Sequence, residues 1–363
     1  MQEKKENKTQ ESILITNEAV LNALSHVMDP DLHQDLVSLG MIKDINVEGD
    51  QVSFTIELTT PSCPLKSVLE NNARQAVLQM TDAKVVKINM SAQVRNPKPV
   101  VIDKNQFKHV IAVGSGKGGV GKSTVSVNLA LALAKDGAKV GLLDADIYGP
   151  NIPRMLGVDR LPDGEGEGKV PVAEAFGMKV MSVGFLVQNG QPLIWRGPML
   201  HSAIQQFITD FDWGDLDYFI VDLPPGTGDV QLSLSQTLPL TGAVIVTTPQ
   251  QVAIDDASRA VAMFEKLEVP VFGIVENMSY LALPDGTHMP VFGTGGGEHL
   301  AYRTGTTFLG RIPLDPQIGQ GGDTGSPIVL SAENSASAAA LRDIACMVAA
   351  EASKRAHERA TVG

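Results

Sequence analysis

Residues 114–124 read GSGKGGVGKST and stand between the apolar run VIAV and the alternating, mostly apolar run VSVNLALALA. A glycine-rich loop that leaves an apolar strand and enters a helix restricts the fold more than any other stretch of this chain. It requires a well-buried strand, torsions that glycine adopts at low cost, and a helix that begins where the loop ends. From Val110 onward the pattern meets that requirement. HVIAVGSGKGG is strand into loop, STVSVNLALALAKDG is helix, and AKVGLLDAD is strand again. MKVMSV, DYFIVDLP, GAVIVTTP, PVFGIVEN and TTFLGRIP read as further strands, with helical stretches between most of them. Short β-branched strands alternating with helices form a mostly parallel sheet covered on both faces. The expected class is therefore α/β, a doubly wound mostly parallel sheet in three layers, although strand order is not legible. ALRDIACMVAAEASKRAHERA supplies a last helix with a charged, solvated end.

The first ninety-odd residues follow another pattern. ITNEAVLNALSHV has helical spacing, MIKDINVEGDQVSFTIELTT reads as two strands joined by a Glu-Gly-Asp turn, CPLKSVLENNARQAVLQM as a helix and AKVVKINMS as a strand. The expected organisation is a disordered tail over 1–12, a small α+β domain over 13–94 and a polar linker over 95–108. A P-loop domain over 109–355 and a C-terminal tail over 356–363 complete it. A length of 363 residues accommodates both a large core and a smaller one. A formal net charge of -12 argues against a general nucleic-acid surface and favours a specific partner. The polar first dozen residues lack the apolar core of a signal peptide, and no run of eighteen apolar residues follows, so a cytoplasmic protein without membrane attachment is expected. The chain has two cysteines, Cys63 and Cys346, too few for a disulfide framework, and no CxxC.

Gly116 to Ser123 match G-x-x-x-x-G-K-[ST]. The backbone N–H groups of Gly116, Lys117, Gly118, Gly119, Val120 and Gly121 are expected to turn inward around phosphate oxygens, and the helix starting near Lys122, Ser123 and Thr124 adds its positive N-terminus. Lys122 is expected to reach the β- and γ-phosphates of ATP, and Ser123 to ligate Mg²⁺. Two strands ending in aspartate add what such a site needs. VGLLDADIYGP carries Asp144 and Asp146, and YFIVDLPPGTGD carries Asp222 followed by a glycine loop. Asp222 is expected to hold Mg²⁺ and Gly226 to sense the γ-phosphate. Asp146 suits the orientation of the attacking water, and Asp144 the support of Mg²⁺ or of the loop. A lone aspartate at a strand end is also a common turn former. The combination with the P-loop gives these their weight.

Along the chain, KGGVGKS, LLDADIYGPNIPRMLG, VDLPPGTGDVQLSL, VENMSY, FGTGGG and GRIPLD together resemble the Mrp family of P-loop ATPases, iron-sulfur cluster carriers within the ParA/MinD-like class. The N-terminal unit, with TTPSCPL, is similar to the MIP18-type domain often fused in front of such ATPases. The resemblance implies a Mg²⁺-dependent ATPase that works as a homodimer, holds an iron-sulfur cluster of the 4Fe–4S type and passes it from a donor to recipient apoproteins. It also implies that Lys117 crosses the dimer interface to the phosphates of the partner's nucleotide, where a cation delivered in trans neutralises charge developing on the γ-phosphate. From the loop alone, Lys117 reads as a solvated lysine in a tight turn. Asn277 falls at the family position that contacts adenine, and Pro313 and Asp315 at the other wall of the base pocket.

One segment departs from the family. Members that bridge a cluster carry Cys-Pro-x-Cys just after Asn-Met-Ser-Tyr, whereas here NMSYLALPDGTHMPVFG puts Leu283 and Gly286 at the cysteine positions and keeps only Pro284. Clusters require soft thiolates. Cys346, in the terminal helix, reads as a small buried hydrophobe. Cys63, in the turn SCPL, reads either as a packed turn residue or as a cluster ligand, because a helix N-terminus lowers a thiol pKa. Asp285, His288 and His299 read as polar surface or as metal ligands, and Arg196 and His201 as an ordinary turn or as part of a substrate or partner surface. The alternative function is a ParA/MinD-type switch whose ATP-bound dimer recruits or positions a partner without a cluster. EASKRAHERATVG has little apolar surface for a MinD-like membrane anchor. A metabolic kinase or amidoligase would need a substrate pocket that no segment supplies.

Overall fold

Strands of the large sheet are buried along nearly their whole length, as strands covered on both faces must be, whereas alternating burial marks the smaller sheet. The computed structural model describes residues 15–29, 34–58, 66–92, 106–162, 169–186, 203–204, 206–228, 231–232, 235 and 238–362. They belong to two compact units.

The first unit opens with α1 (Asn17–Leu24), N-capped by Thr16, whose Oγ1 accepts the Ala19 amide at 3.1 Å. A short ribbon of β1 (Met28–Asp29) and β2 (Gln34–Asp35) precedes β3 (Ile42–Glu48), β4 (Gln51–Leu58), α2 (Lys66–Met80) and β5 (Val85–Ala92). β4 lies between β3, which is antiparallel to it, and β5, which is parallel. Val52, Phe54, Ile56 and Leu58 are buried at alternate positions of β4, and Leu69, Ala73 and Val77 at four-residue steps of α2. The helix-strand-strand-helix-strand order matches the sequence pattern, and the β1–β2 ribbon is an addition to it.

The second unit carries an eight-stranded sheet. Its strands are β6 (Phe107–Ser115), β7 (Val140–Asp144), β9 (Ala173–Ala175), β10 (Met178–Ser182), β12 (Leu216–Asp222), β13 (Gly242–Thr247), β14 (Val271–Glu276) and β17 (Phe308–Arg311), while β8 (Val170–Pro171) pairs with β11 (Phe211–Asp212) and β15 (Leu281–Ala282) with β16 (His288–Met289). The order across the sheet is β17-β14-β13-β6-β12-β7-β10-β9, and every pair is parallel except β9 with β10. This is the α/β, mostly parallel fold expected from the sequence. One face packs on α3 (Lys122–Lys135), α4 (Ile152–Leu156), α8 (Ile328–Ser331) and α9 (Ala336–Val362). The other packs on α5 (Gln251–Lys266) and α6 (Gly296–Thr304). A further helix, α7 (Pro316–Thr324), packs beside α4. α9 continues to Val362, through the segment expected as a C-terminal tail. Among the described residues, no helix is long and apolar enough to cross a membrane.

The helix after β6 covers one face and the helix after β13 the other, so β6 stands where the winding reverses. Ligands of open α/β sheets gather at such a point, outside the C-terminal strand ends. Residues Ser115, Asp144, Ser182, Asp222, Thr247 and Glu276 end their strands on that rim, and all are fully buried.

Packing between neighbouring strands is tight enough to test. A β-carbon at Gly242 would run into the Phe272 ring. Gly242→Ala is expected to cost about 1–3 kcal/mol by overpacking, read as a lower urea midpoint, and Phe272→Leu in the same chain is expected to recover part of it.

Candidate active site

The loop after β6 holds its shape through glycines. Gly119 and Gly121 have φ of +82° and +83°, in the left-handed region that glycine enters without a β-carbon penalty. Gly116 leaves no room for a side chain, because a β-carbon there would meet the backbone of Asp256 on α5. The loop and the first turn of α3 form one wall of a cavity of about 320 Å³, and Asp146, Tyr148, Gly149, Asn151, Met155 and Pro225 line the rest. A helix N-terminus and a glycine-rich loop facing one cavity form an anion site, suited to a chain of phosphates.

The cation of the site is buried with its partners. Lys122 Nζ lies 2.9 Å from Asp222 Oδ2, 3.3 Å from Asp146 Oδ2 and 3.4 Å from Ser123 Oγ. Burial opposes its charge, but Asp222 and Asp146 outweigh that and hold the ammonium above its ordinary pKa. Asp222 accepts Ser123 Oγ on Oδ2 and Ser126 Oγ on Oδ1, each at 2.6 Å. Burial also pushes the Asp146 carboxyl up, with Asp222 adding to the shift and Lys122 pulling against it. Asp144 accepts from the Asp146 amide at 3.2 Å, the Ile152 amide at 3.2 Å and Ser182 Oγ at 2.9 Å. Burial, reinforced by the Asp222 charge, drives Asp144 up to about 8.

The other expected residues are placed as follows. Lys117, Gly118 and Thr124 line the cavity, and Lys117 is half-buried. The Lys117 carbonyl accepts Ser115 Oγ at 3.0 Å. Gly226, at φ +96°, donates its N–H to the Ser115 carbonyl at 2.8 Å, which brings the loop after β12 beside the P-loop. Val120 is buried, and Asn277 lies behind it rather than on the cavity wall. Asp315 caps α7 by accepting the Gln317 amide at 2.9 Å, and its other oxygen accepts Ser337 Oγ at 2.6 Å. Pro313 is buried beside it, and neither lines the cavity. Leu283 and Gly286 sit in the turn of the β15–β16 hairpin, closed by Gly286 N–H donating to the Leu283 carbonyl at 2.9 Å. In the same hairpin Asp285 accepts both the amide and the hydroxyl of Thr287, and the Tyr280 and His288 rings stack at 3.9 Å. His299 is on α6, and Cys346 is half-buried on α9. Cys63, Arg196 and His201 lie outside the described residues. Among the described residues, no group of three or more His, Cys, Asp or Glu side chains is arranged to hold a metal ion.

Sequence reasoning passed over Ser126 and Ser182, the hydroxyls behind Asp222 and Asp144, and over Tyr148 and Met155 on the cavity wall. Ser126 has one local signal, its position one helical turn beyond Ser123 on the same face. Tyr148, 75% exposed beside the phosphate loop, carries none that separates it from an ordinary surface tyrosine.

Known proteins are similar to this chain over most of its length. The family model described as a NUBPL iron-transfer P-loop NTPase matches residues 106–349, and one described as an iron-sulfur cluster assembly protein matches residues 17–90. An iron-sulfur cluster carrier protein of Deinococcus radiodurans is 52% identical over 342 residues, 93% of this chain and 96% of the relative. This chain belongs to the Mrp family of ParA/MinD-like P-loop ATPases. The family's carrier protein from Synechocystis is 48% identical over 354 residues, covering 94% of this chain and 99% of its own length. A nucleotide-binding protein from Archaeoglobus fulgidus, solved in complex with ADP, is 36% identical with a TM-score of 0.56, over 65% of this chain and 95% of its own. As a family member with this site, the chain is an ATP-hydrolysing enzyme that uses Mg²⁺. The hard oxygens of Ser123 and Asp222, bonded to each other, are donors that fit that ion.

The raised carboxyls give the site a pH signature. Between the unfolded value of 3.8 and about 8, the folded state binds a proton at Asp144 that the unfolded chain has released, so stability falls as pH rises through that window. The urea midpoint is expected to drop between about pH 5 and about pH 8, and Asp144→Asn is expected to flatten that drop.

Proposed function

We propose that this ATPase is a carrier or scaffold for iron-sulfur clusters, taking them from a donor and delivering them to recipient apoproteins in the cytoplasm. The observation that carries the ATP-driven part is the Lys122 ammonium set between Asp222 and Asp146 at the phosphate loop. The cargo is supported by the likeness of almost the whole chain to the Deinococcus and Synechocystis carrier proteins.

In this reading the N–H groups of residues 116–121 and Lys122 bind the β- and γ-phosphates, with Thr124 at the start of the helix. Ser123 and Asp222 hold Mg²⁺, with Asp144 in support, and the ion supplies charge neutralisation along the phosphates. Asp146 orients the water that attacks the γ-phosphorus as the bond to the bridging oxygen breaks. Gly226 senses the γ-phosphate. Asn277 meets adenine, and Pro313 and Asp315 form the opposite wall. The functional units are an α+β domain over 13–94 and a P-loop domain over 109–355, the latter paired in a homodimer whose Lys117 reaches the partner's nucleotide. Cys63 serves as a cluster ligand, because Leu283 and Gly286 offer no thiolate. That same replacement favours, as a second reading, a ParA/MinD-type switch that recruits a partner without a cluster.

Mixing variants tests the composite site. Lys117→Ala is expected to spare ATP binding while slowing turnover and weakening the ATP-dependent dimer. Mixed with an Asp146→Ala chain, it is expected to regain part of the ATPase rate, because one of the two composite sites then keeps both groups. Heterodimers that form without any recovery would place Lys117 in its own chain's site or outside the reaction.

The cargo is tested by anaerobic reconstitution with iron and sulfide counts and a visible spectrum. The unmodified protein is expected to take up a cluster, and Cys63→Ser to lose it while retaining ATPase activity. No uptake by the unmodified protein, with donor and ATP present, would favour the switch. Loss only in Cys346→Ser would move the ligand to α9.

A further inference from the structure

Asn277 is built into the phosphate loop from behind. Its Nδ2 donates to the Val120 carbonyl oxygen at 2.9 Å, across 157 residues of chain. Gly121 lines the phosphate cavity, whereas Asn277 does not. Among the described residues every peptide is trans, and a trans peptide points its N–H opposite to its C=O. Holding the Val120 oxygen on Asn277 therefore turns the Gly121 N–H the other way, toward the phosphates.

The fit allows little slack on either side. A β-carbon at Gly121 would collide with Asn277 Nδ2, and Gly121 itself has φ +83°. Asn277 has a rigid stem. Its backbone N–H donates to the Thr247 carbonyl at 2.8 Å, where β13 and β14 end. The fully buried Glu276 before it accepts the Gly297 amide at 2.6 Å and the Ser279 hydroxyl. Met278 after it has φ +53°, a torsion that a non-glycine residue keeps only where its surroundings impose it.

We infer that Asn277 is a positioning residue of the phosphate loop, whose side-chain amide locks the Val120–Gly121 peptide so that the Gly121 N–H faces the triphosphate. This rests on the nucleotide reading of the cavity and adds a base-independent task to the adenine contact. Its ligand class is polyphosphate, with or without a nucleoside.

Tripolyphosphate separates the two tasks, because it has no base. Calorimetric titration with Mg²⁺-tripolyphosphate and with Mg²⁺-ADP compares the full chain with Asn277→Asp, which replaces the donor by an acceptor facing a carbonyl. Affinity for tripolyphosphate is expected to fall about tenfold or more, and that for ADP by a comparable factor. Thermal unfolding identifies folded variants, and Asn277→Ala takes the place of Asn277→Asp if the latter does not fold. Weaker ADP binding with unchanged tripolyphosphate binding would overturn the inference in favour of a base contact alone. So would a loss of stability that leaves both affinities unchanged. An unmodified chain that binds neither ligand would instead remove the nucleotide reading itself.

Discussion

Lys122 brings an ammonium group under the protein surface, against a carboxylate at Asp222 that is cut off from solvent. Taking two such charges out of water costs several kcal/mol per ion, and their attraction offsets this only where the remaining polar atoms are also bonded. The neighbourhood meets that condition. Ser123 and Ser126 bond separate oxygens of Asp222, while Asp146 and Ser123 share the ammonium. The pair fastens the N-terminus of α3 to the end of β12, so the start of the helix cannot drift from the strand that carries Asp222. In the proposed phosphate-binding role, a lysine already charged and already held in place would need little reorganisation.

The same economy extends along the rim. A parallel strand that ends under its own crossover helix leaves loop amides with no ladder partner, and buried amides must find one. Here the last residue of the strand supplies it. Asp144 accepts the Ile152 amide at the start of α4, Ser182 accepts the Gly184 amide, and Glu276 accepts the Gly297 amide at the start of α6. These loops on the C-terminal rim of the sheet are thereby tied to it by side chains rather than by backbone ladders.

Much of this was legible in the chain. The runs VIAV, GLLDAD, YFIVD, GAVIVT and VFGIVE are apolar, short and bounded by turn residues, and each became a strand of the central sheet. The phosphate loop was legible because its constraint is local: consecutive residues must turn their N–H groups to one side, and glycine is the residue that permits it. Asp146 and Asp222 were legible as strand-end acids. The β1–β2 ribbon and the β8–β11 pair were not, because two-residue strands have no period to read. Ser182 was missed because a buried serine at a strand end has no pattern of its own, and Ser126 because its one signal, a helical turn from Ser123, is shared by any residue at that spacing.

What the sequence determined by itself was every feature whose cause lies within about one helical turn or one strand. That covers the alternation of elements, the glycine loop, the helix that begins at Lys122 and the replacement of the paired cysteines by Leu283 and Gly286. The tertiary structure alone decided strand order, which put β12 between β6 and β7 and so brought Asp222 to Ser123, 99 residues away in the chain. It also decided that Asn277, at the end of a strand two places from β6, reaches the back of the phosphate loop. Hydrogen bonds such as these depend on which strands become neighbours, and that follows from how two apolar faces are covered together. No local run of residues encodes it.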